Sequence, residues 1–235
     1  MKFVRILTGI FLLPCCVAVS RTVYLLAPAI NSGQPGAVVF WGAIGSGLVL
    51  WALVFVFLPA PTRSYILAHE LTHALWGGLM GASLLGMRVS KSGGNVKLTE
   101  TNVFVVLAPY FFPLYTVLAM TAYFLASVFW DLQKYFPCLL GVMGFTLGFH
   151  VFFTVSALGT RQPDIEPYGR LFSFTLIYFM NVFVVCLLLA MVSPVSVGGL
   201  FGMLADDFRC VFCLMRDVLL AGLRTCQGAF LQSGR

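Results

Sequence analysis

The stretch SYILAHELTHALWGGLMGASLL, residues 64–85, decides the fold of this chain. It is apolar except near its centre, where His69 and His73 lie on either side of Glu70 in the string HELTH. About 20 mainly apolar residues are enough for one helix to cross a bilayer. Histidines at positions i and i+4 lie on the same face of a helix. The stretch therefore predicts a membrane-spanning helix that carries two imidazoles and a carboxylate.

The HExxH spacing suits a zinc site. His69 and His73 can both reach one zinc ion while Glu70 stays beside the water that the ion activates. Zinc lowers the pKa of such a water to about 7, and a carboxylate can pass the released proton to a departing amine. This is the chemistry of peptide hydrolysis. The alternative is a set of hydrogen bonds between helices, which leaves unexplained a Glu70 whose burial in a bilayer costs about 2.5 to 3.5 kcal/mol.

The composition excludes an ordinary soluble globule. Of 235 residues, 60% are hydrophobic and 9% are charged, whereas soluble domains have about 25% charged residues. Six spans would use about 120 residues, which leaves no room for a large extramembrane domain. The net charge of +6 comes from cations spread singly along the chain, so we interpret them as membrane-flanking charges and expect no nucleic-acid partner. The predicted fold class is an all-α polytopic membrane protein.

Apolar stretches on both sides of the motif predict about six transmembrane helices. At the N-terminus Lys2 and Arg5 precede an apolar stretch that resembles a secretory signal peptide, but further spans follow closely and favour an uncleaved helix. A polar turn is expected at residues 31–36. The count of Lys and Arg in the loops favours cytoplasmic termini. The later predicted spans are residues 37–58, 64–85, 103–130, 136–158 and 171–192.

We divide the chain into N-terminal transmembrane helices (1–62), a membrane core with the HExxH motif (63–192) and an amphipathic tail (193–235). Apolar tail residues recur at helical spacing while charged ones lie elsewhere, which is typical of an interfacial helix. The pair Cys210 and Cys213 is interpreted as a coincidence on that helix, because a zinc ribbon needs a second pair. The apolar tail residues are Phe208, Val211, Phe212, Met215, Val218 and Leu219.

Three further stretches complete a family pattern. HELTH is followed by the small-residue segment ALWGGLMGASLLGMRV, then by residues 88–99 with Gly93 and Gly94 at a turn. LAPYFFPLY occupies residues 107–115, and ALGTRQPDIEPYG places Asp164 just after Pro163. With HExxH inside an apolar helix, residues 64–181 resemble the site-2 protease class of intramembrane zinc metallopeptidases.

The resemblance implies a membrane-dipping β-hairpin at residues 88–99, a helix start within residues 107–115, and Asp164 as the third zinc ligand. The chain departs from the family in two places. Ile165 follows Asp164 where the family has glycine, and the usual asparagine after Pro109 is missing.

A catalytic zinc needs a third protein ligand and an open fourth position, for which Asp164, Glu166 and His150 are the candidates. We choose Asp164. On a continuous helix that rises about 1.5 Å per residue, His150 would lie roughly 21 Å from Asp164, so the two are not expected to share one metal. His150 is expected to be a hydrogen-bonded core residue. Only spacing recommends Glu166.

Other residues have structural expectations. Alternation along residues 87–98 has the period of a strand and predicts an exposed edge to which an extended substrate could add, with a solvated loop as the alternative. Asn181 is expected to hydrogen-bond a neighbouring helix. Pro109 and Pro113 either break their span or kink it. Three glycines are expected to permit close helix packing: Gly77, Gly78 and Gly81.

We therefore predict a multi-pass protein of the cell (inner) membrane that acts as a zinc endopeptidase. Its metal ligands would be His69, His73 and Asp164, with Glu70 as the base, Zn²⁺ as the cofactor and membrane-anchored proteins as substrates. Two alternatives remain. One is a non-catalytic membrane protein, either a degenerate protease that binds a partner or a small transporter. The other is an integral-membrane zincin of another class, with glutamate as the third ligand.

Overall fold

The computed structural model describes residues 2–31, 36–90 and 93–233, which are mainly helical. Most of the turn expected at residues 31–36 lies outside the described residues. The helices are α1 (Lys2–Asn31), α2 (Ala37–Phe57), α3 (Thr62–Leu79), α4 (Val103–Leu107), α5 (Leu114–Ser127), α6 (Phe136–Leu158), α7 (Arg170–Met191) and α8 (Val197–Ser233). Two strands, β1 (Leu84–Val89) and β2 (Gly94–Leu98), follow α3, and 3₁₀ turns cover Ala108–Tyr110 and Gln133–Tyr135.

By length and composition, four of the described helices can cross a membrane: α1, α2, α6 and α7. The pair α4 and α5 is together long and apolar enough to form one more span, which is bent by 83°. Large apolar side chains cover the outer surface, as Val38 (84% exposed) and Phe11 (60% exposed) illustrate. Such a surface suits contact with lipid chains and not with water. The helical architecture agrees with the predicted all-α membrane class, while the predicted count of six spans is not confirmed.

The predicted span at residues 64–85 is wrong at its C-terminal end. Helix α3 stops at Leu79 after 18 residues and is not among the described helices that are long and apolar enough to cross a membrane, and positions 84 and 85 already lie in β1. Gly81 has a φ of +86°, a left-handed conformation that residues with a Cβ rarely adopt and that commonly follows a helix end. The glycine-rich sequence after HELTH therefore turns the chain out of the helix.

The predicted span at residues 103–130 is broken and not merely kinked. Helix α4 ends at Leu107, a 3₁₀ turn carries Pro109, and α5 begins just after Pro113. Proline lacks the N–H that continues a helical ladder. The break leaves backbone carbonyl groups without helical partners in the middle of an apolar segment. Side chains of neighbouring helices hydrogen-bond to two of them: His73 of α3 to Val105, and Asn181 of α7 to Tyr110.

Helices α2 and α6 form the closest helix pair of the core. A Cβ at Gly47 would lie 2.0 Å from the carbonyl oxygen of Gly141, and one at Gly144 would lie 2.1 Å from that of Ile44. Glycine at these positions lets the two backbones touch, as small residues do in membrane bundles. Close helix packing was expected instead at Gly77, Gly78 and Gly81, which is wrong: a Cβ at Gly78 or Gly81 would meet nothing within 4 Å, and Gly77 packs against the hairpin and not against a helix.

The N-terminal helix α1 packs between α7 and α8, and its Val19 and Leu26 are fully buried. Asp207 of α8 is 3% exposed and accepts from Arg21 Nε at 2.7 Å and from Thr22 Oγ1 at 2.8 Å. The first part of the tail is therefore tied to α1. Beyond position 212 the apolar face predicted for an interfacial helix is exposed, at Met215, Val218 and Leu219.

The strands β1 and β2 pair antiparallel and form the predicted hairpin, although β1 begins at Leu84, earlier than expected. β2 runs along α3. Gly94, at its start, lies against Glu70, and Leu98, at its end, packs on Gly77 with 2.6 Å between Leu98 Cδ1 and a Cβ built at position 77. Glycine at position 77 therefore seats the hairpin on the helix that carries HELTH.

Candidate metal centre

Helix α3 places the two motif histidines side by side. The Nε2 atoms of His69 and His73 lie 3.2 Å apart. The Nδ1 of His73 lies 2.9 Å from the carbonyl oxygen of Val105 in α4, to which it can donate. That bond selects the tautomer in which the Nε2 of His73 carries a free lone pair. The broken span thereby orients one imidazole toward the other.

Asp164 approaches the histidine pair from the turn between α6 and α7. Its Oδ2 lies 3.2 Å from His69 Nε2 and 3.7 Å from His73 Nε2. Burial raises the pKa of the Asp164 carboxyl, but hydrogen bonds and charge interactions with the two histidines outweigh burial and hold that pKa below its ordinary value. The carboxylate is therefore the stable form of Asp164 in this setting.

The three donor atoms fit one metal ion. All lie within 4.8 Å of one another, and ligands held tetrahedrally at about 2.0 to 2.1 Å from a zinc ion would lie about 3.3 Å apart. Two imidazole nitrogens and one carboxylate oxygen form a donor set common to catalytic zinc sites with an open fourth position. His69 Nδ1 is buried without a hydrogen-bond partner among the described residues, so the polar contacts of this ring lie on its Nε2 side.

Glu70 lies on α3 between the two histidines and is 7% exposed. It lines a cleft of about 450 Å³ together with His69, Tyr65 and Gly94. A Cβ at position 94 would lie 2.4 Å from Glu70 Cγ and 2.6 Å from its Oε1. The hairpin backbone therefore approaches the Glu70 carboxylate as closely as glycine allows, and this carboxylate lines the same cleft as His69, one of the candidate metal ligands.

The other two ligand candidates lie outside this cluster. His150 Nε2 lies 3.0 Å from Asn181 Oδ1, which joins α6 to α7 as expected for both residues. Glu166 is paired with Arg161. Of the acidic residues, cysteines and histidines that the structure describes, only His69, His73 and Asp164 form a group able to hold a metal ion.

Sequence reasoning missed two residues of the centre. The hydroxyl of Tyr110 donates to Asp164 Oδ2 at 2.9 Å, and Gln162 Oε1 lies 3.4 Å from the same hydroxyl. Tyr110 lies between Pro109 and Pro113, and its place in this sequence could have marked it as a residue that needs a hydrogen-bond partner. A tyrosine in a broken apolar segment needs a partner for its hydroxyl when it is buried.

Comparisons with family models, with curated proteins and with solved structures find no match to this chain.

Proposed function

We propose that this chain is an intramembrane zinc endopeptidase that hydrolyses peptide bonds of membrane-anchored proteins in the cell membrane. The observation that carries the proposal is the convergence of His69, His73 and Asp164 within 4.8 Å, beside a Glu70 that opens into a cleft. A helix bundle needs no such arrangement for stability. Ionisable groups among apolar helices are costly and mark functional sites by default.

The proposed chemistry assigns each group one task. His69, His73 and Asp164 would hold the metal, and zinc, when bound, supplies Lewis-acid polarisation and lowers the pKa of water. Glu70 takes a proton from the attacking water as its oxygen bonds to the scissile carbonyl carbon. Glu70 then gives that proton to the amine nitrogen as the C–N bond breaks. The carboxylate is regenerated, so one water is consumed for each peptide bond.

The cleft supplies the water that hydrolysis needs among apolar helices. Its walls combine the aromatic rings of Tyr65 and Phe153, stacked at 4.7 Å, with the polar side chains of Ser156, Thr160 and Gln162. The polar side chains can keep water at the centre, and the volume of the cleft is about 450 Å³. An extended peptide suits such a cleft better than an intact helix, whose diameter is about 10 Å.

The hairpin provides a means of holding an extended substrate. Strand addition pairs backbone groups of a peptide with an exposed sheet edge and demands little of its side chains. The two-stranded sheet has outer edges, β1 is largely exposed, and Gly94 of β2 lines the cleft itself. A substrate strand at this sheet would lead past Glu70.

Of the alternatives, the zincin with a glutamate ligand is disfavoured by the pairing of Glu166 with Arg161 outside the cluster. A degenerate protease or a transporter would retain the polar cluster without hydrolysis, so an activity assay separates these from the proposal.

The test compares Glu70→Gln with wild type in purified, detergent-solubilised protein. Glu70→Gln should keep about one zinc per chain and lose cleavage of a model transmembrane substrate by about 10² to 10⁴-fold, since it removes the base and no ligand. The matched control is Glu100→Gln, because Glu100 is exposed. An active Glu70→Gln variant would exclude the assigned base, and a wild-type chain without bound zinc would exclude the metal.

A further inference from the structure

A buried tyrosine connects the candidate metal centre to polar residues that the proposed hydrolysis does not use. Tyr110 is 0% exposed and lies in the 3₁₀ turn of the broken span. Its hydroxyl donates to Asp164 Oδ2 at 2.9 Å, and its ring meets that of His69 edge-on at 5.3 Å. Tyr110 therefore contacts two of the three candidate ligands without offering a ligand atom of its own to the cluster.

The backbone of Tyr110 is held as firmly as its hydroxyl. The side-chain amide of Asn181 in α7 donates to the Tyr110 carbonyl oxygen at 2.7 Å. Asn181 Oδ1 lies 3.0 Å from His150 Nε2 in α6. Helix breaks among apolar segments persist where neighbouring side chains pair with the freed backbone groups. Asn181 and His150 thus fix the position from which the Tyr110 hydroxyl reaches Asp164.

Asp164 needs this support more than the histidines do. His69 and His73 project from one rigid helix, whereas Asp164 lies in the turn between α6 and α7. Side chains on loops are held less precisely than side chains on helices, and groups that hydrogen-bond a ligand set its orientation. The Oδ2 atom that Tyr110 contacts is the same atom that faces both histidines.

We propose that Tyr110 is a positioning residue, which fixes Asp164 as the third ligand and is itself held by Asn181 and His150. This inference rests on the metal centre of the proposed function. Beyond the proposed function, it assigns a role to the break between Pro109 and Pro113, which places the Tyr110 hydroxyl against the turn that carries Asp164. The network links α6, α7 and the broken span to the ligand on the turn.

The test measures the affinity of the metal-free, solubilised chain for Co²⁺, with the visible absorption of the bound ion as a second readout. Tyr110→Phe removes one hydroxyl and keeps the ring. It should weaken Co²⁺ binding by about 10 to 100-fold and alter the absorption bands, because Asp164 loses its orientation. The matched control is Tyr115→Phe, which removes a hydroxyl that donates to the Ser64 carbonyl oxygen at 2.8 Å, and it should bind like wild type.

Each outcome has a distinct meaning. If wild type binds Co²⁺ and Tyr110→Phe binds it equally well with the same spectrum, Tyr110 does not position Asp164. If wild type binds no Co²⁺, the metal centre of the proposed function is excluded and this inference with it. Should Tyr110→Phe fail to fold, the same measurement is made on Asn181→Leu, which removes the hydrogen bond to the Tyr110 carbonyl oxygen and leaves the Tyr110 side chain in place. A several-fold loss of affinity is expected there, and wild-type affinity in that variant would overturn the proposal.

Discussion

Two aspartates in this molecule, the buried Asp207 and the half-buried Asp164, have opposite surroundings. Asp207, between α8 and α1, accepts from the guanidinium of Arg21 at 2.7 Å and from the hydroxyl of Thr22 at 2.8 Å. Asp164 faces two imidazoles and a phenol hydroxyl, and no permanent cation lies within ion-pair distance of it among the described residues. The first carboxylate has its countercharge within the chain. The second lacks a permanent countercharge and lies beside a cleft, as the proposed binding of an added cation requires.

The largest effect is expected at the aspartate without a countercharge. Asp164→Ala should abolish stoichiometric zinc binding, because two imidazoles alone leave the ion without its only anionic ligand. His150→Ala should keep near-normal zinc content at saturating zinc, since His150 offers no ligand to the cluster and reaches Asp164 only indirectly, through Asn181 and Tyr110. Metal analysis of both purified variants decides the matter. The reverse pattern would move the ligand to His150 and remove the contrast between the two aspartates.

The next effect concerns the backbone that covers Glu70. Gly94→Ala adds a Cβ that would lie 2.4 Å from Glu70 Cγ, so the carboxylate must move away from its place beside the candidate metal ligands. Cleavage should fall about 10 to 100-fold, as displaced catalytic groups commonly cause, while zinc content stays normal. Gly86→Ala in β1 is the control, because a Cβ there meets nothing within 4 Å. Equal activity of the two variants would show that Gly94 has no part in placing Glu70.

A smaller effect is expected from the hairpin as a substrate clamp. Proline lacks the N–H needed for a strand ladder, so single prolines at Val89, Val96 and Leu98 should include one that lowers cleavage several-fold with zinc retained. Lys91, a fourth position for this scan, lies outside the described residues. Alanine at each position is the control for loss of the side chain. Wild-type cleavage by every folded proline variant would mean that substrate is held elsewhere.

The sequence predicted those parts of the molecule that follow from local patterns. HExxH needs only helical spacing, and the alternation along residues 87–98 with two glycines is enough for a hairpin. The place of Asp164 came from the family resemblance, because no local pattern joins it to a motif 95 positions earlier.

The features that the sequence did not reveal depend on contacts between distant segments. The 83° bend between α4 and α5 depends on such contacts, because Asn181 of α7 pairs with the backbone carbonyl of Tyr110 at the break. Tyr110 matters because the turn that holds Asp164 lies against it. The pairing of Arg21 with Asp207 joins positions 186 residues apart, on helices that were expected to behave as a first span and a separate tail. Each of these needs the tertiary packing of helices before its role is visible.

The smallest effect is expected at the aspartate whose charge is already balanced, and it should appear in stability alone. Arg21→Met leaves Asp207, 3% exposed, with only the hydroxyl of Thr22 as a partner in this contact. The Arg21 side chain is 49% exposed, so solvent screens the pair, and the loss should be about 1 to 3 kcal/mol, less than for a fully buried pair. That corresponds to a fall of several degrees in the unfolding temperature.

The double variant Arg21→Met/Asp207→Leu should recover part of the loss, because it removes the uncompensated carboxylate as well. Thermal unfolding in detergent, with zinc content measured in parallel, checks both variants. Loss of zinc with unchanged stability would contradict the distinction, since it would make the α1 and α8 contact part of the metal centre and not a separate ion pair.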